Sequence, residues 1–209
     1  MSVVVTHAEG VRRIALDRPQ KRNALDTATI AALCDALVAA GADASVRAIV
    51  ITGNGPHFCA GADLAEMRAN PGDRERFAMT GWMMDAPRTI GKPIIAAVHG
   101  SALGAGAALA LACDAVVMTD DACLGWPEAR HKMMPRVVAP GLIARVPPGV
   151  AFDLLATGRP MPAPEALRFG LAARVVPPEA LLTEATALAT AATLLPPEAL
   201  LELKKMIAG

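Results

Sequence analysis

From Pro93 to Cys113 the chain carries no formally charged residue, a run of 21 interrupted by Gly100, Gly104 and Gly106. The length reaches the roughly 20 residues of a membrane span, yet each glycine inside one continuous helix would cost about 1 kcal/mol relative to alanine. The run divides better into a buried strand, Pro93-Ile94-Ile95-Ala96-Ala97-Val98, a glycine turn, and a helix over Ala107 to Ala112 that is apolar on all sides. A membrane span is therefore not expected.

The glycine turn has a counterpart earlier in the chain. His57-Phe58-Cys59-Ala60-Gly61-Ala62-Asp63-Leu64 and Gly100-Ser101-Ala102-Leu103-Gly104-Ala105-Gly106-Ala107 each follow an apolar strand-like run and open a helix-like one. Backbone N–H groups at strand-to-helix turns are pre-aimed donors, and two that converge on one point can hold the negative oxygen of an enolised thioester. The pair thus points to an oxyanion hole in an enzyme of acyl thioesters.

The surrounding pattern is strand and helix in alternation. Val3 to Val5 and Val11 to Leu16 read as strands joined at Glu9-Gly10, and Asp26 can cap a helix running to about Ala40. Ala48 to Thr52 reads as a strand, Arg74 to Thr89 as a helix, and Ala115 to Met118 as a strand. Such alternation implies an α/β fold with mainly parallel pairing and helical crossovers. From Pro135 the pattern becomes helical, punctuated by Pro140, Pro147, Pro148, Pro160, Pro162 and Pro164, with no clear linker. The organisation expected is a core over residues 1–135 and a helical region over 136–209 serving packing or oligomerisation.

Composition narrows the partners. Apolar residues form 54% and charged residues 19% of the 209, against roughly 25% charged in soluble domains, so some apolar surface is expected to meet another subunit. Basic and acidic residues balance at 20 each, which leaves no global field to recruit nucleic acid or an anionic membrane. Cys34, Cys59, Cys113 and Cys123 show no CxxC spacing, and nothing at the N-terminus resembles a secretion signal, so reduced thiols and a cytoplasmic location are expected. His57-x-Cys59 lacks the further ligands a metal needs, since His7, His99 and His131 lie far apart; neither a metal nor a cofactor is expected. Gly104 to Leu109 lacks the third glycine of a dinucleotide fingerprint, and Ser101 sits one place off for a nucleophile elbow.

Four stretches together resemble one family. Ile14-Ala15-Leu16-Asp17-Arg18-Pro19 with Lys21-Arg22-Asn23-Ala24-Leu25, the turn from Phe58 to Met67, Lys92-Pro93 to Cys113-Asp114, and Thr157-Gly158 with Glu165-Ala166 and Gly170-Leu171 are similar, in order, to the enoyl-CoA hydratase/isomerase (crotonase) superfamily. The resemblance implies a spiral of strand-strand-helix units, shortened here relative to the family, with a pocket that is more open, completed by a neighbour, or defective. It implies a homotrimer or dimer of trimers and a coenzyme A thioester as substrate, the coenzyme being part of the substrate. It places the oxyanion donors on the N–H groups of Ala62 and Ala105 and puts Arg22, Ala24, Ala60, Asp63, Leu64 and Trp126 along the acyl-CoA.

The carboxylates decide the chemistry. The resemblance puts a first hydratase glutamate at position 108, which is alanine, and a second at Glu128. A positioned acid–base group contributes 10²- to 10⁴-fold, so the absent one is worth roughly 3 to 5 kcal/mol of barrier. Glu128 follows Pro127, which limits local freedom, and reads either as the general acid/base or as a surface carboxylate paired with Arg130. Enoyl-CoA hydration is the reading placed first, and Δ3,Δ2-enoyl-CoA isomerisation, for which one carboxylate suffices, is the alternative to it. A third reading is an acyl-CoA-binding or assembly subunit with impaired catalysis. Asp63 and Glu66 suit the N-terminus of a helix, Asp114 suits capping, and Lys21 and Arg22 read equally as phosphate contacts or solvated side chains.

Overall fold

A computed structural model describes residues 2–70 and 72–208. Strands β1 (Val3–Ala8) and β2 (Val11–Leu16) form an antiparallel hairpin in which Val3 faces Leu16 and Ala8 faces Val11. Glu9 and Gly10 both take positive φ, 51° and 80°, the turn geometry whose twist matches a two-residue hairpin. Helix α1 (Thr27–Ala42) starts at Asp26, whose carboxylate accepts from Thr29 N–H at 2.8 Å, and runs two residues past the expected end. Its buried residues Ile30, Leu33, Leu37 and Ala40 make one stripe.

β3 (Ala48–Gly53) is followed by α2 (Leu64–Ala69), α3 (Arg74–Thr89), β4 (Ile94–Val98), β5 (Ser101–Leu103), α4 (Ala105–Ala112), β6 (Ala115–Thr119) and β7 (Cys123–Gly125). The rest comprises α5 (Pro140–Ile143), α6 (Pro148–Thr157), β8 (Pro160–Pro162), α7 (Ala163–Arg168), β9 (Arg174–Val176), α8 (Leu181–Ala191) and α9 (Pro197–Ala208). Two sheets result. The larger has the order β1-β2-β3-β4-β6-β9 and is parallel from β2 onward; the smaller has the order β5-β7-β8.

Every residue of β3 and β4 is buried, because both faces of the large sheet are covered. Ile49, Ile51, Ile94, Ala96, Val98, Val116 and Met118 face the main core with α1, α3 and α4. The alternate residues Val50, Ile95, Ala97 and Val117 meet Leu181, Ala185 and Ala189 of α8. The uncharged run splits as its glycines require, and no helix among the described residues is long and apolar enough to cross a membrane.

The region after Pro135 departs from the helical expectation. β8 pairs with β7 and β9 pairs with β6, so this stretch also supplies an edge to each sheet. Each strand has three residues, too few to display a period of two.

Candidate active site

The two glycine turns lie against each other. Cys59 forms a bridge with Ala102 of β5, with Cys59 N–H donating to Ser101 at 3.1 Å and Leu103 N–H returning to Cys59 at 2.9 Å. A methyl group added to Gly61, which has φ +89°, would stand 2.6 Å from the Leu103 carbonyl and 3.3 Å from Ala105 N. Only glycine permits that approach with that backbone. The N–H groups of Ala62 and Ala105 have no backbone or side-chain acceptor among the described residues, as expected of a first-turn amide at Ala105.

Polar side chains brace the first turn. Buried Asn23, with φ +55°, donates through Nδ2 to the carbonyls of Asn54 and His57 at 2.9 and 2.8 Å and accepts Arg18 N–H at 2.9 Å. The Arg18 guanidinium reaches the Ala24 carbonyl at 2.6 Å, Asp26 at 3.0 Å and Asp63 at 3.3 Å. Sequence reasoning assigned no role to Arg18 or Asn23. The one local signal was asparagine's tolerance of positive φ.

Asp63 caps α2, accepting from Ala65 and Glu66 N–H. Burial would raise its pKa, but hydrogen bonds from Glu66 N–H, Arg18 and Ala65 N–H outweigh that and hold it below the ordinary value. Glu66 accepts Thr27 N–H at 3.0 Å, tying α2 to the start of α1. Both acids are engaged structurally. Ala60 N–H is bound to the Arg22 carbonyl at 2.9 Å, Ala24 is half-buried, and Leu64, Lys21 and Arg22 are exposed. Trp126 has no exposed surface, and its indole N–H points to the Val138 carbonyl at 3.3 Å.

Glu128 lies in a 3₁₀ turn over Pro127–His131 that follows β7. β7 itself is parallel to β5, with Gly125 opposite Leu103 and Gly104 N–H bound to the Gly125 carbonyl at 2.8 Å. This pairing carries Glu128 to the second turn: a methyl group on Gly104 would stand 2.6 Å from Glu128 Oε1. Oε2 is buried without a hydrogen-bond partner. Burial pushes the carboxyl pKa above its ordinary value, against the pull of its own backbone N–H and of His131. The alternative of pairing with Arg130 is not realised; Arg130 makes no ion pair among the described residues, and its stem packs at Gly158.

Ala108 lies one turn after Ala105, and each retains 7% exposure whereas Ala107, Leu109 and Ala110 have none. These two alanines therefore share one slightly exposed face of α4. Cys59 is buried and its thiol pKa is pushed up to about 12, so it stays protonated. Among the described residues no three His, Cys, Asp or Glu side chains gather as a metal site would require.

Two glycine turns laid against each other, a carboxyl oxygen without a partner beside one of them, and a largely parallel sheet covered on both faces make up the crotonase fold. The chain belongs to the enoyl-CoA hydratase/isomerase family, whose model matches residues 6–208, and so is an enzyme of the crotonase superfamily. It is 40% identical over 194 residues to a Mycobacterium bovis protein named a probable enoyl-CoA hydratase, covering 90% of this chain and 74% of that one. It is 36% identical over 189 residues to the 2,3-dehydroadipyl-CoA hydratase of Escherichia coli, with the same coverage. The crystal structure of an enoyl-CoA hydratase from Mycobacterium smegmatis superposes with a TM-score of 0.93 at 35% identity, covering 100% of this chain and 82% of that chain.

Proposed function

We propose that the protein hydrates an α,β-unsaturated acyl-CoA thioester through an enolate held at the Ala62 and Ala105 N–H groups, with Glu128 as the general acid/base. Water adds its oxygen to the β-carbon while Glu128 accepts its proton. The electrons of the double bond move to the thioester oxygen, where the two amides stabilise the developing charge. Glu128 then gives the proton to the α-carbon and the carbonyl re-forms, so the carboxylate ends as it began. One carboxyl serves both transfers in the absence of an acid at Ala108.

The observation that supports this reading most is the half-buried Glu128 carboxyl, its Oε2 without a partner, seated against Gly104 next to the free Ala105 amide. Hydration is favoured over double-bond migration because the relatives quoted above are named hydratases. In this reading Arg22, Ala24, Ala60 and Leu64 border the thioester, while Asp63 and Trp126 support the walls. The protein works as a homotrimer or dimer of trimers in the cytoplasm, in keeping with its four free cysteines and with the exposed apolar side chains Ile143 and Phe152. It acts in the turnover of fatty acyl chains, and it needs no metal or added cofactor.

The test is product identity. Crotonyl-CoA incubated with the purified protein in ¹⁸O-labelled water should yield a 3-hydroxyacyl-CoA carrying the label. Conversion of 3-enoyl-CoA without any hydrate would instead establish an isomerase, and binding of both thioesters without turnover would establish a binding subunit.

A further inference from the structure

Helix α4 is Ala-Gly-Ala-Ala-Leu-Ala-Leu-Ala and has no side chain able to form a hydrogen bond. Its knobs are mostly methyl groups, and its closest packing is near the amino end, where a methyl group on Gly106 would stand 2.5 Å from the Cys59 carbonyl. The polar contacts that fix its axial position lie at the helix ends. At the amino end, Gly104 N–H is bound to Gly125, and Ala105 offers its free amide. At the carboxyl end, Arg145, from the segment between α5 and α6, donates from its guanidinium to the Leu111 carbonyl. A cation there also suits the helix dipole.

A second fixed point stands just beyond. Asp114 accepts Ile94 N–H at 2.7 Å and pairs with buried Lys204 at 2.8 Å, which anchors the chain after α4 to β4. Between Arg145 and Asp114 lies a cavity of about 110 Å³, also lined by Leu111, Val116 and Leu171. The carboxyl end of α4 thus borders open space on one side, and Arg145 is the side chain from outside the helix that holds its Leu111 carbonyl there.

We propose that Arg145 is a positioning residue for the oxyanion donor: by holding the Leu111 carbonyl it sets the axial position of α4 and with it the Ala105 N–H. This inference rests on the reading of Ala105 as a thioester-oxygen donor. A displacement of about 1 Å at a reacting centre can cost about 100-fold in rate, so a partial release of α4 is read in kcat. Among the described residues Arg145 makes no hydrogen bond to Glu128 or to either glycine turn, so its effect travels through the helix.

A double-mutant cycle on crotonyl-CoA hydration tests this, with Ala105→Pro as the second change. Proline is tolerated at the first helical position, where it replaces the amide hydrogen in question with a ring carbon. At a temperature well below each Tm, Arg145→Met should lower kcat about tenfold with KM within about twofold, and Arg145→Lys should recover most of the loss. In the Ala105→Pro background the same Arg145→Met change should alter kcat by less than about twofold. If Arg145→Met does not fold, Arg145→Gln is read by the same criteria. An unchanged kcat, a loss confined to KM, or an equal loss in both backgrounds would overturn the proposal. If Ala105→Pro itself turned over like the wild type, the donor reading would have failed, and this inference with it.

Discussion

Burial removes water from the charged form of a carboxyl group, and where nearby donors and cations replace that water only in part, the protonated form is favoured relative to the free group. Glu128 is in that position, and its folded pKa lies above the ordinary 4.5. The native state then binds more protons than the unfolded chain, so Glu128's contribution to stability is present at low pH and is lost as pH rises through the folded value. Glu128→Gln should consequently melt at or above the wild-type temperature at pH 7, with the difference shrinking below pH 4.5. The same ionisation is needed for the group to accept a proton, so the acid limb of kcat/KM should have its midpoint above 4.5. Gly104 is the second sensitive position. Gly104→Ala meets both φ +51° and a contact at 2.6 Å with Oε1, and should cost about 1–2 kcal/mol of stability while lowering kcat at least tenfold, about the cost of a sub-ångström misplacement. Melting curves and steady-state kinetics on the purified variant check both. Glu128 stood out only through the family resemblance, whereas the glycine turns were legible in the sequence because their spacing is local to two motifs. Arg18 and Asn23 were not, since their partners Asp63, Asn54 and His57 lie 31 to 45 residues away and no periodicity records such contacts.

Long apolar runs announced the larger elements. β3, β4 and α4 are buried on all sides, so their sequences are continuously hydrophobic and bounded by glycine, proline or charge. Asp26 was legible as a cap because the chemistry of an N-cap is local: an acceptor three residues before Thr29 N–H. Asp26→Ala should destabilise by about 1 kcal/mol through the lost cap, and chemical denaturation would read it as a lower midpoint. β5, β7, β8 and β9 were not foreseen. They are three-residue strands stabilised by neighbours brought in by the chain's spiral, such as Cys59 beside Ala102 and Met161 beside Leu124. β5 and β7 nevertheless matter most to the site, since their parallel register delivers Glu128 to Gly104.

Across the whole molecule, the C-terminal helix is tied to the core by one buried cation. Lys204 of α9 donates to the carbonyls of Pro87, Ile90 and Lys92 at 2.7 to 2.9 Å and pairs with Asp114. Removing one partner of a buried pair strands the other, so Lys204→Met should cost about 3–5 kcal/mol, visible as a fall in Tm. Exposed Ile143, Phe152, Met206 and Ile207 add apolar surface around the C-terminal third. Light scattering at micromolar concentration should return three or six chain masses; a monomer would contradict the proposed assembly. The measurement that bears most directly on the central claim is kcat for crotonyl-CoA hydration by the wild type and by Glu128→Gln under identical conditions. The account predicts that the wild type forms 3-hydroxybutyryl-CoA and that the variant, folded to the same extent, loses at least 100-fold in kcat. A variant that hydrates as fast as the wild type would contradict it, because the acids of the first turn, Asp63 and Glu66, are held in structural hydrogen bonds.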